Sequence, residues 1–267
     1  MENVGNGPFE VLQTEAALGA EVFGLDLRQP VSDEVRDLLI ECWFQNMVLL
    51  FRDQDLLDED SLSVAEVFGG QQVAGSRAFF LKAGFHAGAT HRVAKHAGIS
   101  LVSNLGEDGK PAREAAGVGS LEALWHTDNS YVDVPPGGTL LWSEIAPTNG
   151  GGETSVNNQY KAYEELPSDL KKAIQGKHIR HDNLRNTAGK LRPTVKEPQT
   201  RPEITGPAHP IVRMHPKTGK QCLYLVRRYE GNSSYIEELP NEEGDKLLDR
   251  LWAHNIQDHL KWTHHWR

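Results

Sequence analysis

The chain has 267 residues, 38 % of them hydrophobic, and a formal net charge of −9. That length can bury one large core or two small ones, and the composition is that of a soluble globular protein. The negative balance argues against a nucleic-acid groove or an anionic membrane surface, no apolar run approaches a membrane span, and no basic-then-apolar leader opens the chain.

Residues 9–12 and 20–27 read as strands joined by a turn. Ser32 offers an N-cap, with Asp33 and Glu34 in the first turn and Val35, Leu38, Leu39, Cys42 and Trp43 at helical spacing after it. The run 47–51 is short and apolar, as in a buried strand, and a second helix is predicted over 58–68 with Gly69 as its stop. Residues 70–98 lack a period and read as a long loop. Strands are predicted at 99–103, 124–131 and 139–145, with turns at 106–111, 135–138 and 149–152. Two helices fit 158–175, broken at Pro167 and restarted with Ser168 as N-cap. Residues 182–207 form a second long loop, and strands 210–214 and 221–226 flank a hairpin-like turn. A last helix spans 242–254, and 261–267 reads as a strand. No repeat or domain linker is visible. One domain over 9–267 is expected, mainly β with a few covering helices, as in a jelly roll. Cys42 and Cys222, the only cysteines, fall in apolar patterns, so no disulfide framework is expected and a reducing cytoplasm is the simplest compartment.

The tripeptide His126-Thr127-Asp128 carries the chemistry. On a strand, residues i and i+2 share a face, so an imidazole and a carboxylate would stand side by side. That is two-thirds of a 2-His-1-carboxylate facial triad, the ligand set of non-haem Fe(II) oxygenases.

Ordered blocks around the tripeptide resemble the taurine dioxygenase and dichlorophenoxyacetate dioxygenase family. They are 19–27, 48–54, Phe68-Gly69, Trp125-His126-Thr127-Asp128, Pro135-Pro136, Gly151-Gly152-Glu153-Thr154, 209–219 and 262–266. The resemblance implies a double-stranded β-helix of the cupin-like kind and a cytoplasmic enzyme using Fe(II), 2-oxoglutarate and O2. Such an enzyme oxidises a small, anionic organic substrate with release of succinate and CO2, and works as a homo-oligomer with no nucleic-acid or membrane partner. It makes His126 and Asp128 iron ligands and Thr154 the residue whose hydroxyl bonds a 2-oxoglutarate carboxylate.

The family pattern continues with a Trp-Asp-Asn strand, a distal iron-binding His and an Arg for the co-substrate's far carboxylate. These are not among the 267 residues, which implies a domain lacking its final strand or strands, and a site that is incomplete as it stands. A non-catalytic binding or remnant protein on the same fold is therefore the alternative, and a cupin-like enzyme with another co-substrate is a third reading. His264 and His265 read as outer-sheet polar residues rather than substitute ligands, and His209 and His215 as turn or hydrogen-bonding histidines. Four positions carry the substrate expectation. Glu122 replaces a family Asn that touches substrate, Tyr131 is the expected pocket wall, and Arg227 and Arg228 are the expected partners of an anion. Arg185, Arg192 and Arg201 lie in the second long loop, which could serve as a lid.

Overall fold

Ser32 caps the first long helix as its pattern requires. Its hydroxyl accepts from the Val35 amide, and Asp33 and Glu34 face the positive end of the helix dipole. In the computed structural model, which describes residues 7–73, 75–88, 93–103, 110, 123–146 and 151–267, this helix is α1 (Asp33–Asn46). It connects two parallel neighbours, β2 (Ala20–Phe23) and β3 (Leu49–Phe51), while β1 (Glu10–Gln13) pairs antiparallel with β2. Leu39 of α1 packs with Val11, Ala20 and Val22 in the N-terminal core. Helix α2 (Asp58–Val67) follows and adds Val64 to a smaller cluster with Leu27 and Leu56.

The C-terminal body holds the largest core. Helices α4 (Gln159–Glu164), α5 (Ser168–Ile174) and α6 (Asn241–Asn255) cover β5 (His178–Arg180), β6 (Ala208–Pro210), β7 (Val212–Met214), β8 (Gln221–Leu223) and β9 (Tyr235–Ile236). Leu247, Leu248, Leu251 and Trp252 make the buried stripe of α6, the one-sided pattern of a covering helix. Each such side chain contributes about 1.5–3 kcal/mol by leaving water. β5 pairs antiparallel with β6 and β9, and β7 with β8. Separately, β10 (Lys261–His264) pairs antiparallel with β4 (Thr154–Asn157), setting His264 opposite Thr154.

Regular strand is scarcer than the sequence patterns imply. Residues 124–131 are not a strand: Asn129 takes φ 47°, and the chain turns through 128–131, closed by the Val132 amide donating to Asn129 O (3.3 Å). Asn tolerates this left-handed backbone better than most residues. Residues 99–103 and 139–145 also lack strand structure. The predicted loop 70–98 contains a short helix, α3 (Arg77–Lys82). Pro167, not Ser168, takes the N-cap position of α5, and Ser168 is its first helical residue. The short strands β5 and β9 have too few residues to show a period and carried no sequence signal. Except for Lys110, the predicted turn at 106–111 lies outside the described residues.

Candidate active site

The tripeptide reaches its geometry through side-chain-to-backbone bonds instead of a sheet ladder. Thr127 Oγ1 donates to the carbonyl of Leu225 (2.8 Å), tying the loop to the chain just beyond β8. Trp125 packs against the large core, and His209 Nε2 donates to Val132 O (3.1 Å) on the far side of the turn. These contacts hold a segment with no sheet partner of its own.

His126 Nδ1–H donates to Leu124 O (2.7 Å), which fixes the ring and leaves Nε2 as the free nitrogen. Nε2 faces Asp128 Oδ1 at 3.0 Å, and Asp128 Oδ2 accepts from Thr139 Oγ1 (3.2 Å). The two side chains are 27 % and 51 % exposed, so the pair opens to solvent on one side. Burial works to lower the His126 pKa, but the Asp128 carboxylate and the Leu124 carbonyl outweigh it and hold the ring above its ordinary value. The bond from His126 lowers the Asp128 carboxyl below its usual range, against burial.

This donor set fits a divalent cation. With Nδ1 already donating, a neutral Nε2 and a carboxylate oxygen confront each other as two acceptors, and only a proton or a cation between them satisfies both. Nε2 and Oδ1 stand 3.0 Å apart and face each other, so one cation could be held by both. A backbone carbonyl on the far nitrogen and a hydroxyl on the far oxygen are the supports metal ligands characteristically carry. Among the described residues, no third His, Cys, Asp or Glu completes a cluster with them.

Thr154 lies at the start of β4, where its hydroxyl oxygen accepts from Trp266 Nε1 (3.0 Å). Because the indole can only donate, the Thr154 hydroxyl keeps its own proton to give. Among the described residues no hydrogen bond joins Thr154 to the His126–Asp128 pair. His264 is buried between Trp262 and Trp266, with ring centroids at 5.6 and 4.6 Å, and His265 lies 3.7 Å from Glu153.

Tyr131 donates to Asn129 Oδ1 (2.9 Å) and lies under the Arg192 guanidinium (4.6 Å to the ring centre), so the second long loop does reach the site. A Cβ at Gly75 would come 2.9 Å from Tyr131 Cε2, so only glycine fits there without a shift. Likewise Gly138, next to Thr139, lies so close to the Trp43 indole of α1 that a Cβ would overlap the ring. The other arginines are engaged elsewhere. Arg228 pairs with Asp249 (2.7 Å) on α6, and Arg227 stacks over Trp252 (5.6 Å). Arg185 pairs with Asp182 (3.0 Å) and Glu197, and Arg201 with Asp245 (2.6 Å). Glu122 lies outside the described residues. His209 is the hydrogen-bonding histidine that its sequence position suggested, bonded to Val132 O, whereas Thr127 and Thr139 were missed as supports: a bond to a carbonyl 98 positions away, and one across an irregular loop, leave no spacing to read.

Comparison with known proteins places the chain in a family. Residues 10–267 match the family described as "Taurine catabolism dioxygenase TauD, TfdA family". The chain is 30 % identical over 240 residues to an alpha-ketoglutarate-dependent 2,4-dichlorophenoxyacetate dioxygenase of Burkholderia sp. (strain RASC), covering 88 % of this chain and 74 % of that protein. It is also 30 % identical over 267 residues to pentalenolactone F synthase of Streptomyces avermitilis, covering 94 % and 80 %. The solved structure of AAD-2 in complex with Mn(II) and N-oxalylglycine matches with a TM-score of 0.75 at 25 % identity, over 97 % of this chain and 84 % of that one. Fold and site together define a non-haem iron dioxygenase dependent on 2-oxoglutarate. The chain belongs to the TauD, TfdA family.

Proposed function

We propose that His126 Nε2 and Asp128 Oδ1 are two of the ligands to the enzyme's iron, that Thr154 binds a carboxylate of 2-oxoglutarate, and that the substrate is a small organic anion. The observation that carries the reading is the convergence of Nε2 and Oδ1 at 3.0 Å, with the outer atom of each side chain already hydrogen-bonded. The anionic substrate rests on relatives whose names specify a dichlorophenoxyacetate and a sulfonate. The framework is read as a double-stranded β-helix in one domain, supported by the match to AAD-2 over 97 % of the chain. The two cysteines are unpaired, in keeping with a reducing cytoplasm, and no helix among the described residues is long and apolar enough to cross a membrane.

When bound, iron with 2-oxoglutarate and O2 supplies the oxidising power that converts a substrate C–H bond while 2-oxoglutarate becomes succinate and CO2. The chain's own groups do the positioning. Leu124 O holds the His126 ring in the tautomer that presents Nε2. Thr139 turns Asp128 so that Oδ1 points at the same place. Thr154, already accepting from Trp266, donates its proton to a carboxylate oxygen, which orients the co-substrate. Tyr131, braced by Arg192, stands three residues beyond the ligand pair and walls the substrate side.

The test is anaerobic titration with Co(II), followed by its absorption bands, on the wild type, His126→Ala and Asp128→Asn. Both variants are expected to weaken binding on the order of 100-fold, the upper end of what losing even a supporting partner costs. Wild-type affinity in either variant would refute the ligand assignment.

A further inference from the structure

On the β7–β8 hairpin, alternation divides the side chains between two faces. Val212 and Leu223 pair across the ladder and turn toward the large core, so Arg213 and Cys222, the next pair, face the other way. Tyr224 joins that second face, where the Arg213 guanidinium lies 4.4 Å from its ring centre. His181 stacks on Tyr224 (5.5 Å between centroids), and His209 meets both rings edge-on, at 4.9 and 5.4 Å.

The polar account of this cluster does not close. His181 is 0 % exposed, and neither ring nitrogen has a hydrogen-bond partner. The buried Tyr224 hydroxyl has no partner within hydrogen-bond distance, although the Arg213 guanidinium approaches its oxygen. Arg213, half-buried, makes no ion pair with a carboxylate among the described residues, although eight other arginines do. Orphaned buried groups of this kind call for a missing partner. A guanidinium, a hydroxyl and imidazole nitrogens without any acid among them are matched by an anion. Burial, then His209 and Arg213, push the His181 pKa down to about 3, so the ring is neutral and has one N–H to give.

The cluster also adjoins the proposed iron site. His209, which touches both rings, donates to Val132 O on the tripeptide's loop, and Leu225, the neighbour of Tyr224, accepts from Thr127 between the two ligands. We propose that Arg213, Tyr224 and His181 form the subsite that holds the acid group of the organic substrate, with Arg213 as the specificity-determining residue. This rests on the dioxygenase reading for its location, and it replaces Arg227 and Arg228, whose guanidinium groups are engaged with α6.

The test compares phenoxyacetate with its uncharged analogue 2-phenoxyethanol by calorimetry, on the protein with and without Mn(II). The wild type is expected to prefer the acid at least tenfold, Arg213→Met to lose that preference, and Tyr224→Phe to reduce it several-fold. Should Arg213→Met misfold, Arg213→Lys and the ring nitrogen resonances of His181 supply the answer: phenoxyacetate must shift those resonances in the wild type. An unchanged preference in the folded Arg213 variants, no preference in the wild type, or unmoved His181 resonances overturns the proposal, the last two as for a cluster that holds water alone. An effect confined to 2-oxoglutarate also overturns it, by giving the subsite to the co-substrate. The dioxygenase reading fails on different evidence, when the wild type binds neither Mn(II) nor 2-oxoglutarate.

Discussion

The loop that carries His126 and the packed segment just after β5 that carries His181 treat the same side chain in opposite ways. His126 is partly exposed, has a partner on each nitrogen and is held above its ordinary pKa. His181 is sealed in, has no partner on either nitrogen and is pushed down to about 3. Burial disfavours the charged ring in both places, and the neighbours decide the outcome. A partnered histidine at an opening can exchange its proton for a cation, whereas a buried one without partners acts as a rigid neutral group. The site thus consists of an irregular loop hung on a packed body, and the two parts should fail separately.

The sharpest way to break that separation is in the body. Leu251→Ala, at a fully buried position on α6, should cost about 2–5 kcal/mol of stability in urea unfolding. Its folded fraction should still bind Co(II) with wild-type affinity; a parallel loss of metal binding would show that loop and body are one unit.

The two histidines should also leave opposite marks on the pH dependence. The unfolded chain protonates His181 below about 6.5, while the fold resists until about 3. Stability from neutral His181 is therefore present above 6.5 and lost as pH falls, at roughly 1.4 kcal/mol per unit, or about 3 kcal/mol by pH 4. His126 has the reverse sign. Its charged form stabilises the metal-free protein at low pH, and that contribution is lost as pH rises through its raised folded value. Urea unfolding of the wild type and His181→Phe between pH 7 and 4 should show the variant losing less stability. Parallel curves would mean that His181 is not buried neutral.

A smaller effect is expected at Thr139→Val, which removes the hydroxyl from Asp128 Oδ2. Co(II) affinity should fall about tenfold, within the range for lost supporting partners, with little change in unfolding. An unchanged affinity would make the Thr139 bond incidental. The smallest effect belongs to His265→Ala, since this exposed ring lies beside Glu153 and, among the described residues, makes no hydrogen bond or ion pair with His126 or Asp128. No change in Co(II) binding is expected, and any loss beyond twofold would reopen His265 as a ligand.

Much of the framework was legible in the sequence because its signals are local. The Ser32 cap with its acidic first turn marked α1, and the leucine stripe marked α6. The turn at 215–220 likewise marked the β7–β8 hairpin. The pairing of His126 with Asp128 was legible but its conformation was not: a strand was expected to align the two side chains, and a turn at Asn129 with bonds to Leu124 and Thr139 does so instead. The Arg213–Tyr224–His181 cluster was not legible at all, because its members come from three separate segments and their shared burial is a tertiary fact. Arg227 and Arg228 were attractive as anion partners for the converse reason, since adjacency in sequence hid their engagement with α6.

The close fit of Gly138 under Trp43 has a consequence for how such a site can be altered or moved. Trp43 stands on α1, Gly138 precedes Thr139, and Thr139 sets the rotation of Asp128, so the carboxylate takes its aim from a helix more than eighty positions upstream. The loop that carries the proposed ligands is therefore not a portable cassette. Grafted onto a scaffold without that indole, it would bring its two donor atoms but leave behind what points one of them.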